Sequence, residues 1–297
     1  MSPGTDAHKI FDRRLAVRRR DRAAAGAGAA GVDFLLHRVA DDFAERLGVT
    51  RRTFPLVVAL GAYHGVLGDR LRGLPGVETV VQCEASAALL RQASGLRVRA
   101  DEEALPFRDE SLDLVVSGLS LHLANDLPGA LIQIRRALKP DGLFLGALLG
   151  GETLTELRQS LLAAEEELEG GASPRVAPFA DVRDLGSLLQ RAGFALPVTD
   201  AETVQVTYRH PLALMQELRA MGGSNALMAR RRTPLRRETL ARACAIYAER
   251  FGLPNGRVTA TFEILTMTGW APHESQQKPL APGSARVSLA DVLSKKP

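Results

Sequence analysis

Only two cysteines, Cys83 and Cys244, occur in 297 residues. That is too few for a disulfide framework or a four-cysteine zinc site, so the chain reads as a protein of a reducing compartment. No apolar stretch approaches the ~18–20 residues of a membrane span, and the start lacks the apolar core of a secretory signal; a soluble protein is expected. The six histidines (His8, His37, His64, His122, His210, His273) include no pair at i, i+3 or i, i+4 and no His-Glu-x-x-His. A two-histidine, one-carboxylate site would have to assemble from distant loops, and no metal is expected. Lysine is scarce, five against thirty-three arginines, which with abundant alanine suggests a GC-rich bacterial genome.

What is present is ordinary globular material. Apolar residues make up 45% and charged residues 24%, enough for a sizeable core in one large domain or two modest ones. The net charge of +4 is local. Residues 1–24 carry Lys9, Arg13, Arg14, Arg18, Arg19, Arg20 and Arg22 against Asp6, Asp12 and Asp21, and the remainder sums to zero. The high pI therefore gives no support to nucleic-acid binding by the body of the protein, and residues 1–31 read as a basic helical arm that is structural or docks elsewhere.

Val32–Leu47 repeats apolar residues at the spacing of an amphipathic helix. Apolar runs of strand length then alternate with helical patterns: Leu56–Leu60, Glu78–Gln82, Leu112–Ser117 and Leu143–Leu148 as strands, with helices after Gly65, over Ala85–Gln92 and over Pro128–Leu138. Continuous apolar strands separated by helices predict a doubly wound α/β sheet covered on both faces. Beyond it, Thr153–Glu169, Asp181–Ala192, Pro211–Met221 and Leu235–Phe251 read as helices, and Ala195–Tyr208 and Thr259–Gly269 as strands. The last of these returns to the sheet, which makes residues 211–256 an insertion. The core is placed at 32–270, with insertions near 151–180 and 211–256, and 271–297 as an extended tail.

Ligands of open α/β sheets sit at the carboxyl ends of the strands, so four loops matter. Gly61 and Gly65 flank Tyr63 after the first strand, and glycine there permits a tight turn and a close backbone approach. Glu84 follows the second strand, where a carboxylate can accept both hydroxyls of a ribose. Asp101-Glu102-Glu103 precedes Leu105-Pro106-Phe107, and Ser117 ends a strand just before His122. His122 suits either a substrate-orienting role or that of a general base. Cys83 fits a buried, inert position, Tyr208 and Trp270 fit aromatic core better than a substrate mouth, and Arg230–Arg232 fits a solvated loop face.

The order of these loops resembles the class I S-adenosylmethionine-dependent methyltransferases. Asp101–Phe107 together with Ser111–Ser117 is similar to the middle of a type 11 methyltransferase domain, and Leu138-Lys139-Pro140-Asp141-Gly142 to its turn before the fifth strand. The resemblance implies a Rossmann-like, seven-stranded fold with helical cap insertions. In it Gly61, Tyr63 and Gly65 meet the methionine part of S-adenosyl-L-methionine, Glu84 holds the ribose, Asp101 and Glu102 lie beside the adenine, and Ser117 faces the same crevice. A narrower resemblance spans nearly the whole chain. Ile10-Phe11-Asp12-Arg13, Ser120-Leu121-His122, Asn125–Pro128, Gly150–Leu154, Met221–Asn225, Gly269-Trp270 and His273–Gln276 look like the family of mitochondrial complex I assembly factor 5 and its alphaproteobacterial relatives. These motifs lie outside the cofactor loops, so the resemblance favours that family over the similar biotin-pathway methyltransferases, whose arm and tail this chain follows less well.

That family implies modification of a protein substrate, a complex I subunit, by methylation or arginine hydroxylation, with His122 as the catalytic candidate. It also implies a bacterial cytoplasmic location with at most peripheral association at the inner membrane face. One loop departs from the pattern: Ala59 stands where the family has an acid, and Tyr63 where it has glycine. Loss of a charge-assisted hydrogen bond of ~1.5–3 kcal/mol predicts roughly 10- to 150-fold weaker cofactor binding. The alternative reading is therefore a catalytically reduced assembly chaperone with a degenerate cofactor site.

Overall fold

The computed structural model describes residues 9–26 and 31–277. Among them, seven strands form one sheet in the order β3-β2-β1-β4-β5-β7-β6. β1 (Leu56–Leu60) lies in its parallel half between β2 (Thr79–Cys83) and β4 (Leu112–Gly118), with β3 (Leu96–Val98) at the edge. β5 (Leu138–Leu149) continues parallel to β4, whereas β7 (Val258–Trp270) inserts antiparallel between β5 and β6 (Ala195–Tyr208).

Side chains alternate across each strand, so the apolar run of β1 supplies two cores. Val57 and Ala59 face one; Val58 and Leu60 face the other. The first core is closed by α2 (Phe34–Gly48), α3 (Val66–Arg72), α6 (Thr155–Glu169), α8 (Pro211–Ala220) and α9 (Arg237–Phe251), through Phe43, Leu71, Leu157, Leu214 and Tyr247. The second is closed by α5 (Leu127–Ala137) and α7 (Val182–Arg191), through Leu131, Ile134 and Leu189 against Val115 and Phe144. Both faces are covered, as continuous apolar strands require.

Most expected elements sit within a few residues of their predicted bounds. Two differences have physical causes. β3 carries no apolar run, because a three-residue edge strand with Leu96 exposed buries too little to leave a pattern. β5 begins at Leu138, before the Lys139–Gly142 turn, because Leu138 pairs with Leu112 across a register shift. That shift moves Leu112 and Leu114 to opposite cores. The arm contains α1 (Arg13–Ala25), while residues 1–8 and 27–30 of it, and 278–297 of the tail, lie outside the described residues.

Candidate cofactor crevice

The carboxyl ends of β1, β2 and β4 open toward one crevice. Gly61 adopts φ +65°, and a Cβ there would lie 2.1 Å from Ser120 Oγ; only glycine lets the loop pass this close to the loop after β4. Gly65 (φ +107°) serves likewise against Ala93 and Gln82. Between them Tyr63 holds a left-handed φ of 54°, a conformation that costs a non-glycine residue ~1–2 kcal/mol. Its hydroxyl donates to the Met221 carbonyl at 3.2 Å, and burial pushes it up to about 12.

Glu84 is 1% exposed. Its Oε2 accepts from the Tyr63 amide at 3.0 Å, and its Oε1 from the Ser86 amide at 2.9 Å and from Arg20 Nη1 at 3.2 Å. Burial raises its carboxyl above the ordinary value; Arg20 opposes this, and neighbouring Glu102 adds to it. Glu102 is also buried and pairs with Arg13, which reaches Asp101 Oδ1 at 2.7 Å as well. Arg13 and Arg20 come from α1, seven residues apart and so on one helix face. The acids expected to hold a nucleoside are thus met by the arm. The sequence marks Arg13 only as part of the Ile10–Arg13 motif and the basic run, and Arg20 only as part of that run; their seven-residue spacing in a helix is the signal that pairs them.

Beside these charges lies an apolar cavity of about 300 Å³, within the range of small-ligand sites. Gly61, Tyr63, Gly118, Leu154, Phe179 and the 221–226 loop line it, together with Arg20 and His122. His122 Nδ1 is buried without a hydrogen-bond partner, and the ring stands edge-on to Phe179 at 5.8 Å. Burial, reinforced by Arg20, pushes the imidazole down to about 3, so at neutral pH it is uncharged and a weak base. Ser117 is fully buried and shares a hydrogen bond of 3.1 Å with Ser120 Oγ; it braces the loop and is not among the cavity-lining residues. Ala59 is fully buried within the sheet.

Several secondary expectations are settled here. Cys83 is buried, and burial pushes its thiol up to about 12. Tyr208 is buried and donates to Glu217 at 2.5 Å, while Trp270 packs against Phe54 with Arg52 over its ring. The solvated-face reading holds for the exposed Arg231 and Arg232, Arg231 also pairing with Glu169 of α6, and needs correction for Arg230, which is half-buried and pairs with Asp12 of the arm at 3.1 Å. Asp33 Oδ2 lies 3.3 Å from His37 Nε2 and 3.0 Å from His64 Nε2, but no group of three or more His, Cys, Asp or Glu suited to a metal occurs among the described residues.

The motifs outside the cofactor loops also meet in space. Asn125 brackets Phe11, accepting from its amide at 2.7 Å and donating to its carbonyl at 3.1 Å. Gln276 holds the turn before the main part of β5 through Asp141 at 3.0 Å. A methyltransferase domain model matches residues 37–146. Over 288 residues the chain is 44% identical to the "Arginine-hydroxylase NDUFAF5, mitochondrial" of Danio rerio, covering 95% of this chain and 89% of that protein. The chain belongs to that family. The human member is 43% identical over 95% of this chain and 83% of its own. A malonyl-[acyl-carrier protein] O-methyltransferase of Halorhodospira halophila is 36% identical over 98% of both. Among solved structures, YcgJ of Bacillus subtilis superposes with a TM-score of 0.55 at 15% identity, over 80% of this chain and 99% of that one. A candidate methyltransferase of Bacillus halodurans gives 0.54 at 15%, over 78% and 98%. With the observed strand order, these place the fold in class I of the methyltransferases, whose members bind S-adenosylmethionine.

Proposed function

We propose that this family member is an S-adenosylmethionine-family enzyme that modifies a protein substrate, a subunit of respiratory complex I. It acts either by methylation with the cofactor as methyl donor or by arginine hydroxylation, which would require dioxygen and two electrons from a separate reductant. The observation that carries the reading is the joining of Glu84, at the end of β2, to the apolar cavity through one side chain, Arg20. That is the layout of a nucleoside site beside an acceptor site. The name borne by the Danio rerio and human relatives supports arginine as the target. Action in the bacterial cytoplasm, with at most peripheral contact at the inner membrane face, belongs to the same proposal; no described helix is long and apolar enough to cross a membrane.

The donor set suits the cofactor. Glu84 accepts ribose hydroxyls, Asp101 and Glu102 flank the adenine, and Gly61 and Gly65 give the backbone its close approach around Tyr63. When bound, the cofactor supplies an electrophilic methyl group on a sulfonium. Leu154, Phe179 and the 221–226 loop, from the segments near 151–180 and 211–256, exclude water from the acceptor cavity. His122 offers an unpaired ring nitrogen there and, being neutral, orients an acceptor by hydrogen bonding. Isothermal titration with S-adenosylmethionine and S-adenosylhomocysteine tests the cofactor. Mass spectrometry of complex I subunits incubated with the protein tests the rest: a gain of one methylene marks methylation and of one oxygen hydroxylation.

A second reading has its own support. Ala59 brings no carboxylate to the methionine end, and the arm fills the nucleoside end. Absence of binding together with co-purification of a client that tolerates Glu84→Gln would favour an assembly chaperone.

A further inference from the structure

We propose that α1 is an internal occupant of the nucleoside end of the crevice, its Arg13 and Arg20 guanidiniums standing where a nucleoside's ribose and base contacts belong, and that the arm must swing out before a nucleoside enters. The inference rests on the cofactor reading above and goes beyond it. Its first support is accessibility: Glu84 is 1% and Glu102 2% exposed, and a carboxylate without accessible surface accepts nothing further. Arg20 Nη1 lies 3.2 Å from Glu84 and 3.8 Å from Glu102, while Arg13 holds Glu102 and Asp101 and lies 3.8 Å from Glu103.

The second support is how the arm is attached. Only Ala16 and Ala23 of α1 are buried, so lifting it exposes little apolar surface and exchanges ion pairs for water and ligand. Its start is strapped to the cap: the Asp12 amide donates to the Ala226 carbonyl at 2.8 Å, and Asp12 also pairs with Arg230. Its far end is held by polar clips to α4 (Ala87–Gln92). Asp21 Oδ1 accepts from Ser86 Oγ at 2.6 Å and from the Ala88 amide at 3.2 Å, and Gln92 Nε2 donates to the Ala24 carbonyl at 2.9 Å. A helix strapped at one end and clipped at the other can pivot about Phe11 and Asp12. Its closed state competes with ligand, and the apparent affinity falls by the fraction of open molecules.

Hydrogen exchange on the full chain, with and without saturating S-adenosylhomocysteine or adenosine, reads this directly. Amides of α1 should lose protection when nucleoside binds. Titration of Asp21→Ala, which opens the clip without stranding a buried charge, and of Arg20→Gln should give at least about tenfold tighter binding than the unmodified protein. Unchanged or increased protection of α1, or weaker binding by both variants while the unmodified protein binds, overturns the inference: the arm is then part of the nucleoside site and the cofactor reading stands. No binding by the unmodified protein or either variant removes the cofactor reading and this inference with it.

Discussion

The two ends of the crevice are built on opposite physics. At the β2 end, the buried carboxylates of Glu84 and Glu102 face the largely enclosed guanidiniums of Arg13 and Arg20, whose side chains are 15% and 13% exposed. At the β4 end the walls are apolar, a cavity of about 300 Å³ stays open, and the polar atom left without a partner is His122 Nδ1. The acids that keep the family pattern are therefore the ones already occupied, while Tyr63, which departs from it, borders the open space. A retained motif and an available site are different things. Charges sealed together remain in place for stability even where they bind no ligand, because removing one strands the other.

The largest test breaks the charged end. Arg20→Met should cost about 3–5 kcal/mol at neutral pH, since it leaves Glu84 buried without its cation; urea denaturation measures it. Adding Glu84→Gln should restore much of the loss. The deficit should also shrink in acid. Burial already raises the Glu84 carboxyl above the ordinary 4.5, and a raised acid destabilises the fold only when ionised, so protonation removes the penalty as pH falls. Next in size is Gly61→Ala, which joins the ends. A Cβ 2.1 Å from Ser120 Oγ at φ +65° should cost about 3 kcal/mol from overpacking and left-handed strain, read as a lowered melting temperature.

The apolar end has its own signature in pH. His122 is pushed from 6.5 down to about 3, so the unfolded chain binds the extra proton and stability falls as pH drops through that window. The loss between pH 7 and pH 5 should be about 2 kcal/mol. His122→Phe should flatten that limb in denaturation curves, and an unchanged limb would assign the acid sensitivity to other groups.

How much of this was legible in the sequence follows from what each signal depends on. The strands of the parallel half announce themselves because burial on both faces demands unbroken apolar runs, as in Leu56–Leu60. The loop residues Gly61, Gly65, Glu84 and Asp101 could be placed because strand ends fix where ligands approach. What stayed hidden was long-range pairing. Nothing local in Arg20 says that it meets Glu84, 64 positions away, and nothing in Arg230 says that it meets Asp12. Charge partners depend on tertiary packing, whereas periodicity depends on the immediate fold. β3 escaped for the reverse reason: three residues at an edge, supported by pairing alone, leave no pattern to find.

The smallest expected effect on stability separates the two ends most sharply. Tyr63→Gly relieves a left-handed residue worth ~1–2 kcal/mol. It also removes the hydrogen bond to the Met221 carbonyl, worth about 1 kcal/mol, and part of a half-buried ring. The net change should lie within about 1 kcal/mol. Its effect on binding should be selective. Tyr63 lines the open cavity, where the proposed function puts the methionine end of the cofactor, so the variant should bind S-adenosylhomocysteine more tightly and adenosine no differently. Asp21→Ala, acting on the arm, should improve both ligands alike. Equal gains for both ligands with Tyr63→Gly would mean that Tyr63 acts through Glu84, whose carboxylate its amide holds, and that the two ends are coupled through one loop.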